Sequence, residues 1–339
     1  MKRKTTVFAS VTILVGIVIM LLSLVSCGFN FKKLDASKKV TSEHAVSEDF
    51  ENIHVVADTA DIKLVYTDTQ AAKVICQNER EKMKHSVEVN NGTLEIRIND
   101  ERKWYNYINP FSFGEPEITV YLPKSEYNAL KIEADTSDVE IPADFKFTGI
   151  DISLSTGDTE CCASATEFIK INASTGDAEI ENVTVGALEI AVSTGDLDIE
   201  NVNAESLSLR TTTGRIEGSN INVGGAFSLN VSTGEASLSD VRAKSFTSGG
   251  STGDLNLTRF VTEGMMNIER STGDVTLNEC DAGEIAIVTD TGNVRATLLT
   301  EKIFITRTDT GKVRVPETTT GGKCKITTDT GDITVSVKQ

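Results

Sequence analysis

From residue 135 to the C-terminus, apolar and polar residues alternate in short runs, and the runs are punctuated by one recurring turn, Thr-Gly-Asp or a near variant. Its glycine falls at Gly157, Gly176, Gly195, Gly214, Gly234, Gly253, Gly273, Gly292, Gly311 and Gly331, with successive spacings of 19 or 20 residues. Two residues and four residues after most of these glycines the chain is apolar, as in Ala178 and Ile180, Leu197 and Ile199, Leu255 and Leu257, Val275 and Leu277, Val313 and Val315, and Ile333 and Val335. Seven and five residues before it most copies are apolar too, and some are also apolar three before it, as in Ile169, Ile171 and Ala173, Leu188, Ile190 and Val192, and Phe227, Leu229 and Val231. Strict period-two alternation predicts short strands with one buried face.

A further apolar residue follows seven places after the glycine, at Val183, Val202, Ile221, Val241, Phe260, Cys280 and Leu299. In several copies a turn-former precedes it, namely Asn182, Asn201, Asn220 and Asp240. Each unit thus supplies two strands and two corners, too little to bury its own apolar face. Stacked units share one core, so the pattern predicts an all-β, parallel, right-handed β-helix or solenoid. At about 4.8 Å per rung the glycine-marked intervals alone give a rod of roughly 43 Å. The register weakens where Arg270 replaces an inward apolar residue and where Phe246, Ser248 and Gly250 precede Gly253. A local bulge or a thinner core is expected there.

The repeating turn has two readings. Glycine takes positive φ freely, and the following Asp can accept backbone N–H bonds. Alternatively Asp158, Asp177 and Asp196, stacked rung on rung, would offer oxygen ligands to calcium. The column is interrupted by Arg215 and Lys312, which relieves repulsion between like charges and favours the structural reading. A degenerate turn, Asp135-Thr136-Ser137-Asp138, stands one period before the first glycine, and Asp58-Thr59-Ala60-Asp61 is an outlier far upstream.

Residues 51–134 do not follow the repeat. They carry strand-like runs at Ile53–Val56, Ile62–Tyr66, Lys73–Cys76, Val87–Val89, Leu94–Ile98, Glu117–Leu122 and Ala129–Glu133, with a hairpin signal at Asn90-Asn91-Gly92. This region is expected to start the stack irregularly and to cap its edge. It also holds an aromatic cluster, Trp104, Tyr105 and Tyr107, which is either a partner contact or a loop that plugs the end of the solenoid.

At the N-terminus Lys2-Arg3-Lys4 precedes an uncharged apolar run from Val7 to Ser26. It reads as a signal or anchor segment over residues 1–27, with the bulk of the chain extracytoplasmic. Leu24-Val25-Ser26-Cys27-Gly28 resembles a bacterial lipobox, which would make Cys27 a lipidated N-terminus. An uncleaved transmembrane helix is the alternative. Residues 28–50 read as a polar tether.

Charge narrows the partners. With 50 acidic and 33 basic residues the formal net charge is −17, which argues against nucleic acid. Only His44, His54 and His85 are present, and no spacing suggests zinc, so no metal and no cofactor are expected. Cys161, Cys280 and Cys324 occupy positions that other copies fill with Ile, Val, Leu or Phe, and read as core residues. Cys162 points away from its neighbour, so the two are not expected to pair. No catalytic residue stands out.

The serial STGD and DTGD turns, together with Ile118-Thr119-Val120-Tyr121-Leu122-Pro123 leading to Leu130-Lys131-Ile132-Glu133, resemble the bacterial DUF4097 family over roughly residues 50–339. The resemblance implies an adhesin-like β-solenoid at the cell surface, and association of some members with envelope-stress regulators. Three functions follow as expectations. The first is a non-catalytic binding or scaffold protein, tethered to the membrane, whose partner is a protein or a polysaccharide. The second is an accessory or sensory partner of a membrane regulatory system, contacting it through residues 28–134. The third is a polysaccharide-active enzyme, for which the only breaks in the repeat are near Arg210–Arg215 and at Arg270.

Overall fold

The computed structural model describes residues 39–80, 83–100 and 116–338. The segment 1–27 with Cys27, and the aromatics Trp104, Tyr105 and Tyr107, lie outside the described residues. Among the described residues no helix is long and apolar enough to cross a membrane. The chain is an all-β solenoid whose rungs pair in parallel along the axis.

The inward columns are the ones the alternation predicts. One runs, rung over rung, through Ile132, Ile152, Ile171, Ile190, Leu209 and Leu229, then through Ser248, Ile268, Ile287 and Ile326. All but Ser248 are apolar, and all are buried. Cys161, Cys280 and Cys324 are buried in this core, and the described cysteines, Cys162 included, are free. Phe227, Phe246 and Phe260 form an aromatic cluster with ring centroids 4.5–6.0 Å apart. Where one interval is 20 residues long, the extra residue is absorbed at a corner, in the register shift between Val223 and Ala226.

Three details differ from the expectation. The weak place at Arg270 carries no bulge there, since Gly249, Gly250 and Thr252 pair in register with Glu269, Arg270 and Thr272. Instead the Arg270 guanidinium occupies the space a side chain at Gly250 would need, 1.6 Å from where a Cβ would sit. It donates to Ser248 Oγ at 3.0 Å and to the carbonyls of Gly249 and Val231 at 3.4 and 3.5 Å. Leu299 is 39% exposed, and Leu298 takes the core place opposite Cys280 because that corner is one residue shorter. Val313 is 43% exposed, because its rung ends the stack.

The rungs do not stack in chain order at either end. The Gly331 rung (Gly322–Thr330 and Ile333–Val337) lies between the Gly292 rung (Glu284–Thr291 and Val294–Leu298) and the Gly311 rung (Lys302–Thr310 and Val313–Arg314). The last rung of the chain is therefore the penultimate rung of the rod. Lys302, at the start of the strand that is displaced outward, is buried and holds Asp281 at 2.6 Å.

The N-terminal end repeats the device. Strand β1 is Lys39–Val46, β2 Asn52–Ala57, β3 Asp61–Thr67, β4 Ala72–Arg80, β5 Met83–Asn90, β6 Thr93–Asp100, β7 Glu117–Pro123, β8 Glu126–Thr136 and β9 Val139–Ile141. The rung formed by β2 and β3 sits between β6 and β7 on one side and β8 and β9 on the other. Antiparallel strands then close this end: β5 on β6, β4 on β7, and β1 on β4. Asn91 and Gly92 both have positive φ (50° and 74°), as the two-residue hairpin turn between β5 and β6 requires. Part of the segment read as tether is thus β1, which pairs antiparallel along the edge of β4 and buries Val46.

Candidate functional site

The Thr-Gly-Asp corner explains itself locally. A Cβ on Gly195 would lie 1.9 Å from the carbonyl oxygen of Gly176 one rung below, and its φ is 149°. Close approach between rungs, as well as backbone conformation, selects glycine here. The repeat-turn glycines Gly157, Gly176, Gly195, Gly214, Gly234, Gly253, Gly273, Gly292, Gly331 and Gly311 form one column in that spatial order.

Each turn aspartate is tied to the next rung. Asp158 Oδ1 accepts from the backbone N–H of Asp177 at 2.8 Å, Asp177 Oδ1 from Asp196 at 2.7 Å, and Asp196 Oδ1 from Arg215 at 2.7 Å. The same ladder continues from Asp254 through Asp274 and Asn293 to Asp332 and Lys312. Each of these aspartates therefore engages one carboxylate oxygen in holding the corner, and Asn293 uses its amide oxygen in the same way. Arg215 cannot extend the ladder, and instead its side chain sits 3.2 Å from Glu217 and 3.6 Å from Asp196. Both residues at which the repeat breaks, Arg215 and Arg270, are thus held by neighbouring rungs.

A second corner column lies six residues after the glycines. Asn182, Asn201, Asn220 and Asp240 all have φ between 52° and 58° there. Asn201 donates to Asn182 at 3.1 Å and Asn220 to Asn201 at 2.6 Å. Arg259 and Glu279 continue this left-handed column with φ of 51° and 55°, although neither residue type signals it. Here the amide ladder gives way to ion pairs, with Arg259 gripping both oxygens of Asp240 at 2.6 and 2.5 Å.

Two long grooves flank the glycine edge. The first, of about 770 Å³, crosses successive rungs from Val56 to Thr212. Its floor is made of small apolar side chains, its wall carries Ser153, Ser155, Asn172, Ser174, Ser193 and Thr212, and charged groups stand toward its ends at Asp58, Glu133 and Asp135 and at Arg210. The same columns resume beyond it at Asn230, Ser232, Ser251 and Ser271. The second groove, on the other side of the edge, is acidic. It runs from Asp61 through Asp138, Glu160 and Glu179 to Asp198, and on along Glu200 and Glu217 to Thr258, in two hollows of about 550 and 610 Å³ that share Glu179 and Asp198. Partial desolvation, then Glu181 and Glu160, push the Glu179 carboxyl up from its usual value. Desolvation and Glu217 do the same for Asp198. The first face can hydrogen-bond a neutral extended chain, whereas the second attracts cations and repels polyanions.

These outward columns carry the same period as the core and were readable as the polar half of the alternation. The aromatic cluster and Cys27 are placed on neither face, being outside the described residues.

No sequence among curated proteins matches the chain. Among solved structures, a candidate lipid-binding protein from Parabacteroides distasonis is similar at 12% identity and a TM-score of 0.42, covering 89% of this chain and 98% of its own. A candidate adhesin from Bacteroides fragilis is similar at 14% identity and a TM-score of 0.32, covering 89% and 97%. A candidate cell adhesion protein from Clostridium sporogenes is similar at 11% identity and a TM-score of 0.20, covering 88% and 100%. The family model described as Toastrack DUF4097 matches residues 50–248 and again 225–339. Together the two spans take in the solenoid from β2 to its last rung, and the chain belongs to the DUF4097 family.

Proposed function

We propose that this chain is a non-catalytic binding scaffold at the cell surface, held at the membrane by its N-terminal segment, which presents the hydroxyl- and amide-lined groove to an extended neutral polymer such as an envelope glycan. The observation that supports this reading is the repetition of that groove. Ser155, Ser174, Ser193, Thr212, Ser232, Ser251 and Ser271 recur once per rung along one line, so the surface offers a ladder of equivalent hydrogen-bonding groups. A ligand with a short repeat of its own can match such a ladder along its length, and weak contacts then add up through multivalency. The acidic groove on the other side of the glycine edge works against polyanionic ligands.

The reading is tested by capture of purified cell-envelope glycan on beads carrying the full-length chain in detergent. Ser174→Trp with Ser193→Trp obstructs the groove on exposed positions and is expected to abolish capture, while Ser237→Trp on the acidic side leaves it intact. Capture that ignores both substitutions would remove the groove from consideration. Cross-linking on intact cells that yields only integral membrane regulators would favour the sensory role instead.

A further inference from the structure

The closed N-terminal end contains a buried cluster that belongs to neither groove. Along β4, Val74 and Cys76 point inward, both fully buried. Strict alternation would next turn Asn78 inward and Glu79 outward. Asn78 instead adopts a φ of 57°, and the pairing with β1 shifts between Val40 and Ser42, so that Glu79 lies opposite Val40 while Cys76 lies opposite Ser42. This bulge re-aims Glu79 into the interior, where it is 2% exposed. His85 of β5, 6% exposed, meets it there.

The three side chains converge. One ligand atom from each of Cys76, Glu79 and His85 lies within 4.8 Å of the others, and all three residues are buried. Glu79 Oε1 accepts from the His85 backbone N–H at 2.6 Å and stands 3.0 Å from His85 Nδ1, while Oε2 accepts from Ser42 Oγ at 2.6 Å. His85 Nε2 is buried without a hydrogen-bond partner. On β1, two residues from Ser42 and so on the same face, His44 also keeps a buried Nε2 without a partner.

We propose that Cys76, Glu79 and His85 form a binding site for a divalent transition-metal ion of the zinc class. Sulfur, nitrogen and carboxylate oxygen are the donor set such an ion takes, and ligand bonds of about 2.0–2.3 Å draw together atoms already spaced as these are. Hard cations such as calcium and magnesium prefer all-oxygen cages and are disfavoured here. Charge also balances. A dication with one thiolate, one carboxylate and a neutral imidazole is neutral overall, which suits a buried site. Without the ion, burial and the nearby Glu79 push the Cys76 thiol up to about 12, with the Ser42 hydrogen bond working the other way. Binding therefore displaces the thiol proton to solvent as the sulfur–metal bond forms, and is favoured by rising pH. A resident ion would join β4 to β5 beneath β1 and fasten the end of the rod. The expectation of no metal site, drawn from sequence, is the one this proposal replaces.

The test uses the full-length chain in detergent, reduced and stripped of metal, titrated with cobalt(II) chloride. One equivalent is expected to give a near-ultraviolet thiolate-to-cobalt band and a higher melting temperature. Cys76→Ser should abolish the band. Glu79→Gln and His85→Gln should weaken binding by at least the roughly 10-fold that loss of even an outer-shell partner costs. Should Cys76→Ser fail to fold, mass spectrometry of the wild-type chain reads protection of Cys76 from alkylation by added zinc. A wild-type chain showing neither band nor protection would leave Glu79 and His85 as a buried hydrogen-bonded pair only, and a band that persists in folded Cys76→Ser would place the ion on another cysteine; either would overturn the proposal.

Discussion

The carboxylate of Asp61 accepts a hydrogen bond at 3.0 Å from the backbone N–H of Asp138, 77 positions further along the chain. The bond is the first step of the ladder that later runs from Asp138 to Asp158 at 2.8 Å and from there up the rod. The isolated Asp58-Thr59-Ala60-Asp61 is therefore a true rung turn, stacked directly against the degenerate one, as the bond from the Thr136 N–H to the Asp58 carbonyl at 2.7 Å also shows. What separates them in sequence is the excursion through β4, β5, β6 and β7 that closes the end.

If the ladder is what the turn aspartates are for, the charge matters less than the acceptor. Asp177→Asn keeps an oxygen for the Asp196 N–H and should change stability little, whereas Asp177→Ala should cost about 1 kcal/mol. Urea denaturation of the two variants measures the difference. Equal losses would place the contribution in the charge instead.

The glycine column separates backbone conformation from close approach. Gly195→Ala meets both a φ of 149° and a carbonyl at 1.9 Å, while Gly292 has no such φ yet would still set a Cβ 2.0 Å from the Gly273 carbonyl. Both substitutions should destabilise by roughly 3 kcal/mol or more, the upper end of local backbone strain. Gly92→Ala, with a φ of 74° and open space around it, should cost only about 1 kcal/mol. Thermal melts of the three variants rank them, and a mild Gly292→Ala would make conformation the deciding factor.

At the second corner column, Asn201→Ala removes a left-handed residue that also links Asn182 to Asn220, and should cost about 1–2 kcal/mol. Arg259→Asn should be close to neutral. It relieves the strain of a left-handed arginine and gives up only an exposed, solvent-screened ion pair with Asp240. A large loss in Arg259→Asn would show that the bidentate grip on Asp240 is stronger than its exposure suggests.

Much of this could be read beforehand, and what could not has a common cause. Ile171, Ile190 and Leu229 were legible as core because a period of two needs no long-range information. The exchange of the Gly311 and Gly331 rungs was not, since every rung offers the same parallel edge and the pattern does not encode which neighbour it meets. Arg259 and Glu279 hide their left-handed corners because the stack imposes a conformation that their side chains do not favour. Cys76, Glu79 and His85 were each visible, but the bulge at Asn78 breaks the counting rule that would have put Glu79 outside. Leu299 was misplaced by the reverse event, a corner one residue short.

The acidic groove has a definite pH signature. Glu179 has a folded-state pKa above the ordinary 4.5, with partial desolvation as the first cause. Ionising it is harder in the folded chain, so its contribution lowers stability at neutral pH, and the loss is recovered as pH falls through the folded value toward 4.5. Asp274 is the opposite case. Burial works to raise its pKa, but the Asn293 N–H and the Arg295 side chain hold it below 3.8, so its stabilisation is present at neutral pH and is lost as pH falls below that value. Glu179→Gln should therefore raise the melting temperature at pH 7 and have little effect near pH 4. Asp274→Asn should lower it at pH 7. Melts at the two pH values give both signs, and a Glu179→Gln gain that grew on acidification would contradict the assignment.

The two ends of the rod differ in a way that bears on self-association. β1, β4 and β5 close the N-terminal end with antiparallel pairing, but the strand Lys302–Thr310 pairs only with Gly322–Thr330 among the described residues. Ile303, Ile305 and Val313 on this last rung are 41%, 52% and 43% exposed. A flat, apolar edge with unpaired backbone groups is a template for another strand. Arg307, Lys312 and Arg314 add local positive charge beside Asp309, which opposes the approach of a second identical edge without removing the template. Raising ionic strength screens that opposition, so end-to-end association should increase with salt. Ile305→Lys should suppress it at every salt concentration while leaving the melting temperature nearly unchanged, because the side chain is already outside the core. Light scattering against sodium chloride concentration measures both effects. Association that fell with salt, or that survived Ile305→Lys, would move the contact away from this edge and toward the charged grooves along the rod.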